Sequence, residues 1–200
     1  MRPVRRAYRV LRHGWRPLLR AWRRRRRQDE IQRSVPLESA DRSDRRRRMN
    51  VLVDLVHERL PGVGLRVVEV GTRTERTARH LARYCPQVDM VFAIDLEPPP
   101  SDSLDAVERV TFLQGWSDAV AKRFDDESVD LVFLDADHSE DGVLRDLQAW
   151  LPKVRPGGIV AGHDYGARRH PGVKPAVDRV FREHEHPVRL AANKVWWTFR

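Results

Sequence analysis

The chain has 200 residues, 40% of them hydrophobic, and a formal charge of +9, which suits one domain with a packed core plus an appendage. No apolar run approaches the roughly 20 residues of a membrane-spanning helix, and no apolar leader segment opens the chain. The single cysteine, Cys85, excludes an internal disulfide and points to a reducing compartment, the cytoplasm.

Charge is unevenly divided. Residues 1–48 hold 18 of the 38 Lys and Arg but only 5 of the 29 Asp and Glu, so the remainder, with 20 basic and 24 acidic residues, is mildly acidic. Residues 1–43 therefore read as a basic arm and linker, and residues 44–200 as one domain. Within the arm, Val4, Tyr8, Leu11, Trp15, Leu18 and Trp22 recur at spacings of four and three between arginines. On a helix that is an apolar stripe flanked by guanidinium groups, kinked or restarted at Pro17. Three readings stand open: a segment lying on an anionic membrane surface, a nucleic-acid-binding arm, or a solvated tail. Residues 28–43 are polar and aperiodic, as in a linker.

Asp44 is placed to cap a helix whose apolar face is Met49, Leu52, Val53, Val56 and Leu60, ended by Pro61-Gly62. From there strands and helices alternate. Strands are expected at 66–70, 88–94, 110–113, 129–134 and 159–161. Helices are expected at 77–84, 117–124, from Val143 to Leu151, and at 173–183, with Ser101 capping a further short one. Pro156-Gly157-Gly158 reads as a turn. Two last strands, near 188–191 and 195–199, flank Asn193-Lys194. The expectation is an α/β fold: a seven-stranded, mostly parallel sheet with helices on both faces and a C-terminal antiparallel hairpin.

Each of the first five strands runs into residues of another character: Gly71-Thr72, Asp95, Gly115-Trp116-Ser117-Asp118, Asp135 to His138, and Gly162-His163-Asp164-Tyr165. Five such endings at the carboxyl edge of one sheet describe a ligand-lined crevice. Glu69-Val70-Gly71-Thr72 closes a strand and opens a helix, where glycine permits close backbone approach. Asp95, about 25 residues on, is placed to accept hydrogen bonds from a ribose diol.

On these motifs residues 50–200 resemble the class I S-adenosylmethionine-dependent methyltransferases. The resemblance implies S-adenosyl-L-methionine as cofactor, held by Glu69, Gly71, Thr72 and Asp95, with Ser117 and Asp118 at the adenine and Trp116 over its ring. One departure is Glu75, where the family usually has glycine. A carboxylate there is expected to crowd the methionine end of the cofactor, with Arg73 or Arg76 to offset its charge. The spacing Asp135-x-x-His138 followed by His163-Asp164 resembles the metal-dependent sugar and catechol O-methyltransferases. That implies a divalent cation, Mg²⁺ or Mn²⁺, on Asp135, His163 and Asp164, with His138 as general base. Related enzymes usually carry Asp or Glu where His163 stands, and imidazole suits Mn²⁺, Fe²⁺ or Zn²⁺ better than Mg²⁺.

The chemistry is consistent with those roles. An aliphatic hydroxyl is hardly ionised at neutral pH, a cation on its oxygen stabilises the developing negative charge, and an imidazole can take the proton. Asp137 is expected to orient His138 or a cofactor group. Tyr165, His170 and Lys174 lie downstream in a loop placed to cover substrate, none singled out. The expected substrate is a small hydroxylated molecule, sugar or catechol-like. Two rivals stand beside it: an RNA-directed methyltransferase recruited by the arm, which the acidic body does not favour, and a catalytically lapsed cofactor-binding protein.

Overall fold

The computed structural model describes residues 48–99, 108–182 and 187–200. The chain divides into two units, 1–35 and 36–200, and everything described falls in the second. The arm expected over residues 1–27, the linker, the Asp44 cap and the Ser101 cap all lie outside the described residues. Among the described residues no helix is long and apolar enough to cross a membrane.

In chain order the elements are α1 (Arg48–Arg59), β1 (Leu65–Val70), α2 (Arg76–Tyr84), β2 (Val88–Asp95), β3 (Val110–Gln114), α3 (Ser117–Ala121), β4 (Val129–Leu134), α4 (Glu140–Trp150), β5 (Val154–Gly162), α5 (Val173–Phe181), β6 (Arg189–Leu190) and β7 (Trp196–Phe199). They build a seven-stranded sheet in the order β3-β2-β1-β4-β5-β7-β6. The first five strands pair in parallel, and β7 pairs antiparallel with both β5 and β6. The sequence-based expectation of a mostly parallel sheet with a terminal hairpin holds.

Alternation along the strands explains two layers of core. Val67, Val91, Ala93, Leu131, Phe133, Ile159 and Ala161 pack with Val51, Leu52, Val56, Ala78 and Leu81 of α1 and α2. The intervening residues point the other way. There Phe92 meets Phe124 edge-on at 5.0 Å, and Phe124 meets Trp150 of α4 at 5.1 Å. Because both faces are covered, β4 reads as an unbroken apolar run rather than an alternating one.

Three boundaries differ from expectation. The helix expected over 117–124 stops at Ala121, where turns at Arg123 and Phe124 take over. The helix expected to reach residue 183 is α-helical only to Phe181. Pro156-Gly157-Gly158 is not a turn before β5 but lies within it. Val154 already pairs with Val129, and the register shifts before Ile159 pairs with Leu131. On the other side Gly157 N–H donates to Arg200 O and Arg200 N–H donates to Gly158 O. The strand therefore carries an irregularity at the Pro-Gly-Gly rather than ending there, and Gly157 takes the positive φ of 72° that this requires.

Candidate active site

The carboxyl ends of β1 and β4 touch. Gly71 has φ 85°, and a Cβ there would lie 2.6 Å from Ala136 Cα and closer still to Asp135 O. Gly71 N–H donates to Ile94 O and Asp135 N–H donates to Val70 O. Only glycine lets the backbones meet this closely, and the contact sets the wall of a cavity of about 1100 Å³. Its lining comes from all five parallel strand ends: Gly71, Asp95, Trp116 to Asp118, Asp135 to His138, and His163-Asp164. The crevice expected at this edge is thus present.

The residues expected to bind cofactor fall in two groups. Asp95, Gly71, Trp116, Ser117 and Asp118 line the cavity. The Asp95 carboxylate accepts N–H bonds from Arg73 (2.7 Å), Leu96 (2.7 Å) and Glu97 (3.4 Å). A carboxylate has about four lone-pair sites, so this one is fixed in place with acceptor capacity to spare. Trp116, 68% exposed, presents its ring at the mouth. The Ser117 hydroxyl, by contrast, accepts from Trp150 Nε1 at 2.9 Å and bonds Asp146, so its side chain braces α3 against α4. Burial lifts the Asp146 carboxyl to about 6, while that Ser117 bond pulls the other way.

Glu69 and Thr72 are buried behind the wall and do not line the cavity. Glu69 Oε2 accepts from Thr72 Oγ1 (2.9 Å) and from Ala78 N–H (3.0 Å). The acid therefore ties the β1 end to the first turn of α2. Complete burial raises its pKa to about 7 against the opposing pull of the Thr72 and Thr77 hydroxyls and Arg48. Glu75 does not crowd the cavity as expected. It takes φ 53°, the left-handed conformation that glycine favours, and its carboxylate turns onto Arg79 at 3.1 Å rather than Arg73 or Arg76.

The ionisable side chains ending β4 and β5 converge. His163 N–H donates to Leu134 O, which sets it beside Asp135, and Asp164 turns back on a positive φ of 58°. His163 Nδ1 lies 3.0 Å from Asp164 Oδ2 and 3.6 Å from Asp135 Oδ1. His138 Nε2 lies 3.1 Å from Asp164 Oδ2 and 3.5 Å from Asp135 Oδ1. Donor atoms of Asp135, His163 and Asp164 all fall within 4.8 Å of one another. His163 Nε2 and His138 Nε2 are buried without a hydrogen bond, while His163 Nδ1 stands against Asp164 Oδ2. Buried imidazole nitrogens left so beside two carboxylates fit a cation better than they fit a closed hydrogen-bond network.

Two residues at this point were not legible as a set. Arg48, at the start of α1, forms an ion pair with Asp135 Oδ2. Burial pushes the Asp135 carboxyl up, and Arg48 with the two histidines pulls the other way. For Asp164 the same opposition ends lower: burial raises it, but His163, His170 and His138 together bring it below the usual range. His170 comes from the loop after β5, its ring stacked on that of His138 with centroids 4.1 Å apart. Asp137 does not orient His138. Its Oδ1 accepts from Ser139 N–H at 2.9 Å and its Oδ2 pairs with Arg145 at 3.3 Å, and the Ser139 bonds lower its pKa. Tyr165 and Lys174 both bond Asp178, away from the cluster.

The sequence family described as a methyltransferase domain matches residues 68–165, the span holding every cluster residue except Arg48 and His170. A comparison with curated proteins finds no match in sequence. Solved structures are similar in fold. The O-methyltransferase NovP shares 18% identity at a TM-score of 0.59, covering 76% of this chain and 77% of its own. CalS11, a TDP-rhamnose 3′-O-methyltransferase, shares 17% at 0.57, covering 84% and 88%. The mycinamycin methyltransferase MycE, in complex with Mg, SAH and mycinamycin VI, shares 16% at 0.57, covering 74% of this chain and 47% of its own.

Proposed function

We propose that this chain, which belongs to the class I S-adenosylmethionine-dependent methyltransferases, moves the methyl group to a hydroxyl oxygen of a small hydroxylated molecule, a sugar or a catechol-like ring, with a divalent cation held by Asp135, His163 and Asp164. The observation that carries this reading is the convergence of those three side chains with His138 in the wall of one cavity. The fold neighbour CalS11, a TDP-rhamnose 3′-O-methyltransferase, supports the same direction, and the cavity of about 1100 Å³, larger than a single drug-sized ligand fills, leaves room for an acceptor beside the cofactor.

The bound cofactor supplies a methyl group on a sulfonium leaving group, and a bound cation supplies positive charge against a hydroxyl oxygen losing its proton. The chain supplies the rest. Asp95 would accept hydrogen bonds from the ribose hydroxyls, and Trp116 and Asp118, which line the same cavity, would hold the adenine. The Gly71 turn lets the backbone approach. His138 would accept the acceptor's proton at Nε2, which lies 3.1 Å from Asp164 Oδ2 and 3.5 Å from Asp135 Oδ1. Residues 1–27 would serve as a contact for an anionic membrane surface, keeping the enzyme cytoplasmic and peripheral; that part rests on the arm's sequence pattern.

The test is His138→Ala. Methyl transfer should fall by about 10²–10⁴, while S-adenosylhomocysteine affinity, read by calorimetry, should hold within about twofold. Equal loss of both would make His138 a cofactor-binding or structural residue and remove the proton-transfer role.

A further inference from the structure

The Asp164 carboxylate belongs to two sets of donors. One is the set just described. The other is His138, Asp164 and His170, whose ligand atoms also lie within 4.8 Å of one another. His138 Nε2 and His170 Nε2 both face the same oxygen, Asp164 Oδ2, at 3.1 and 3.8 Å. The longer separation is beyond a hydrogen bond, and the shorter one does not form a well-aligned bond, since His138 Nε2 is buried without a partner. Two donors each roughly 2.1 Å from a tetrahedral ion stand about 3.4 Å apart, between the two observed separations.

The loop that brings His170 here is firmly placed. Asp164 O accepts from Ala167 N–H, Ala167 O accepts from His170 N–H, and Gly172 packs so closely on the start of α4 that a Cβ would lie 2.8 Å from His138 O. The His170 ring lies against the His138 ring, tilted by 35°.

We propose that His138, Asp164 and His170 form a second cation site, which takes a borderline divalent ion of the zinc and cobalt class and, when filled, occupies His138 Nε2. The two sets differ in donor chemistry. Asp135, His163 and Asp164 offer two carboxylates and one imidazole; His138, Asp164 and His170 offer two imidazoles and one carboxylate. Carboxylates suit Mg²⁺ and Mn²⁺, and a second imidazole shifts the balance from Mn²⁺ toward Co²⁺ and Zn²⁺, so the two sets sort ions by softness around a shared aspartate. An ion on His138 Nε2 takes the lone pair that would accept a proton. That consequence, a block on turnover, rests on the proposed role of His138; the site itself does not.

The experiment titrates the metal-free full-length protein with Co²⁺ alone, followed by its visible ligand-field absorption, and separately with Mn²⁺ alone, followed by the paramagnetic resonance of the free ion. His170→Ala should weaken Co²⁺ binding at least tenfold and leave Mn²⁺ binding within twofold. His170→Phe, which keeps a ring against His138 but offers no donor, should do the same and covers the case in which the alanine disturbs the loop. Unchanged Co²⁺ binding in both variants, or equal losses for the two ions, overturns the second site. Neither readout uses methyl transfer, so failure here is distinguishable from failure of the His138→Ala test.

Discussion

Glu69 is the residue whose chemistry is most constrained by where the chain puts it. It is fully buried and holds Thr72 and Ala78 through Oε2, with the Thr77 hydroxyl bonded to the same carboxylate. Its pKa of about 7, against an ordinary 4.5, means the folded protein binds the proton more tightly than the unfolded chain does. Its contribution to stability is therefore complete below about pH 4.5 and is lost as pH rises through about 7. The difference corresponds to about 3 kcal/mol. Glu69→Gln keeps an oxygen for Thr72 and Ala78 and removes the titration. Denaturant unfolding of the wild type should lose stability between about pH 4.5 and 7 that the variant keeps; parallel curves for the two would mean that Glu69 stays ionised in the fold. Other residues were harder to foresee. Glu75 was expected to intrude on the cofactor because its position favours glycine. The position does require the conformation of glycine, but the glutamate adopts it and spends its charge on Arg79, at a backbone cost of about 1 kcal/mol.

Among the elements, the strand ends are pinned together. The β1 end and the β4 end meet at Gly71 and Asp135 with no space for a side chain. Gly71→Ala should destabilise the fold by at least about 2 kcal/mol, from the positive φ and the forced separation of two backbones. It should also weaken S-adenosylhomocysteine binding, since the cavity wall moves with it. A variant with unchanged thermal midpoint and unchanged affinity would show that the contact does not position the site. β4 is legible because its run is buried on both faces, and α4 because both ends are signalled: Ser139 caps its start through Gly142 N–H, a bond type worth about 1 kcal/mol, and Pro152 follows its end. Pro156-Gly157-Gly158 misled because turn-forming residues also make strand irregularities. Only the neighbouring strands, far away in sequence, decide between the two.

Across the described residues, chemistry collects on one edge of one sheet. Asp135, His138, His163 and Asp164 could be singled out from sequence because each follows directly on an apolar run, and the parallel topology brings such positions together. Arg48 and His170 could not. Arg48 reaches Asp135 from 87 positions away in sequence, through the packing of α1 on the sheet, and His170 arrives on a loop whose course depends on the tight approach of Gly172 to α4. Long-range packing and loop paths leave no local periodicity to read. The Arg48–Asp135 pair also has a consequence for the ion. A guanidinium already neutralises a carboxylate that is only 6% exposed, so a divalent cation must share Asp135 with Arg48 or displace it.

On the proposed function, the acids and imidazoles ending β4 and β5 hold a cation next to the methyl donor. A crystal structure of the full chain with S-adenosylhomocysteine and Mn²⁺, measured with anomalous scattering at the manganese edge, addresses it most directly. A single strong anomalous peak is expected, bonded by Asp135 and Asp164, with His163 as a third ligand and the cofactor sulfur in the same cavity. An anomalous map empty between residues 135 and 164 in crystals that hold S-adenosylhomocysteine would contradict it.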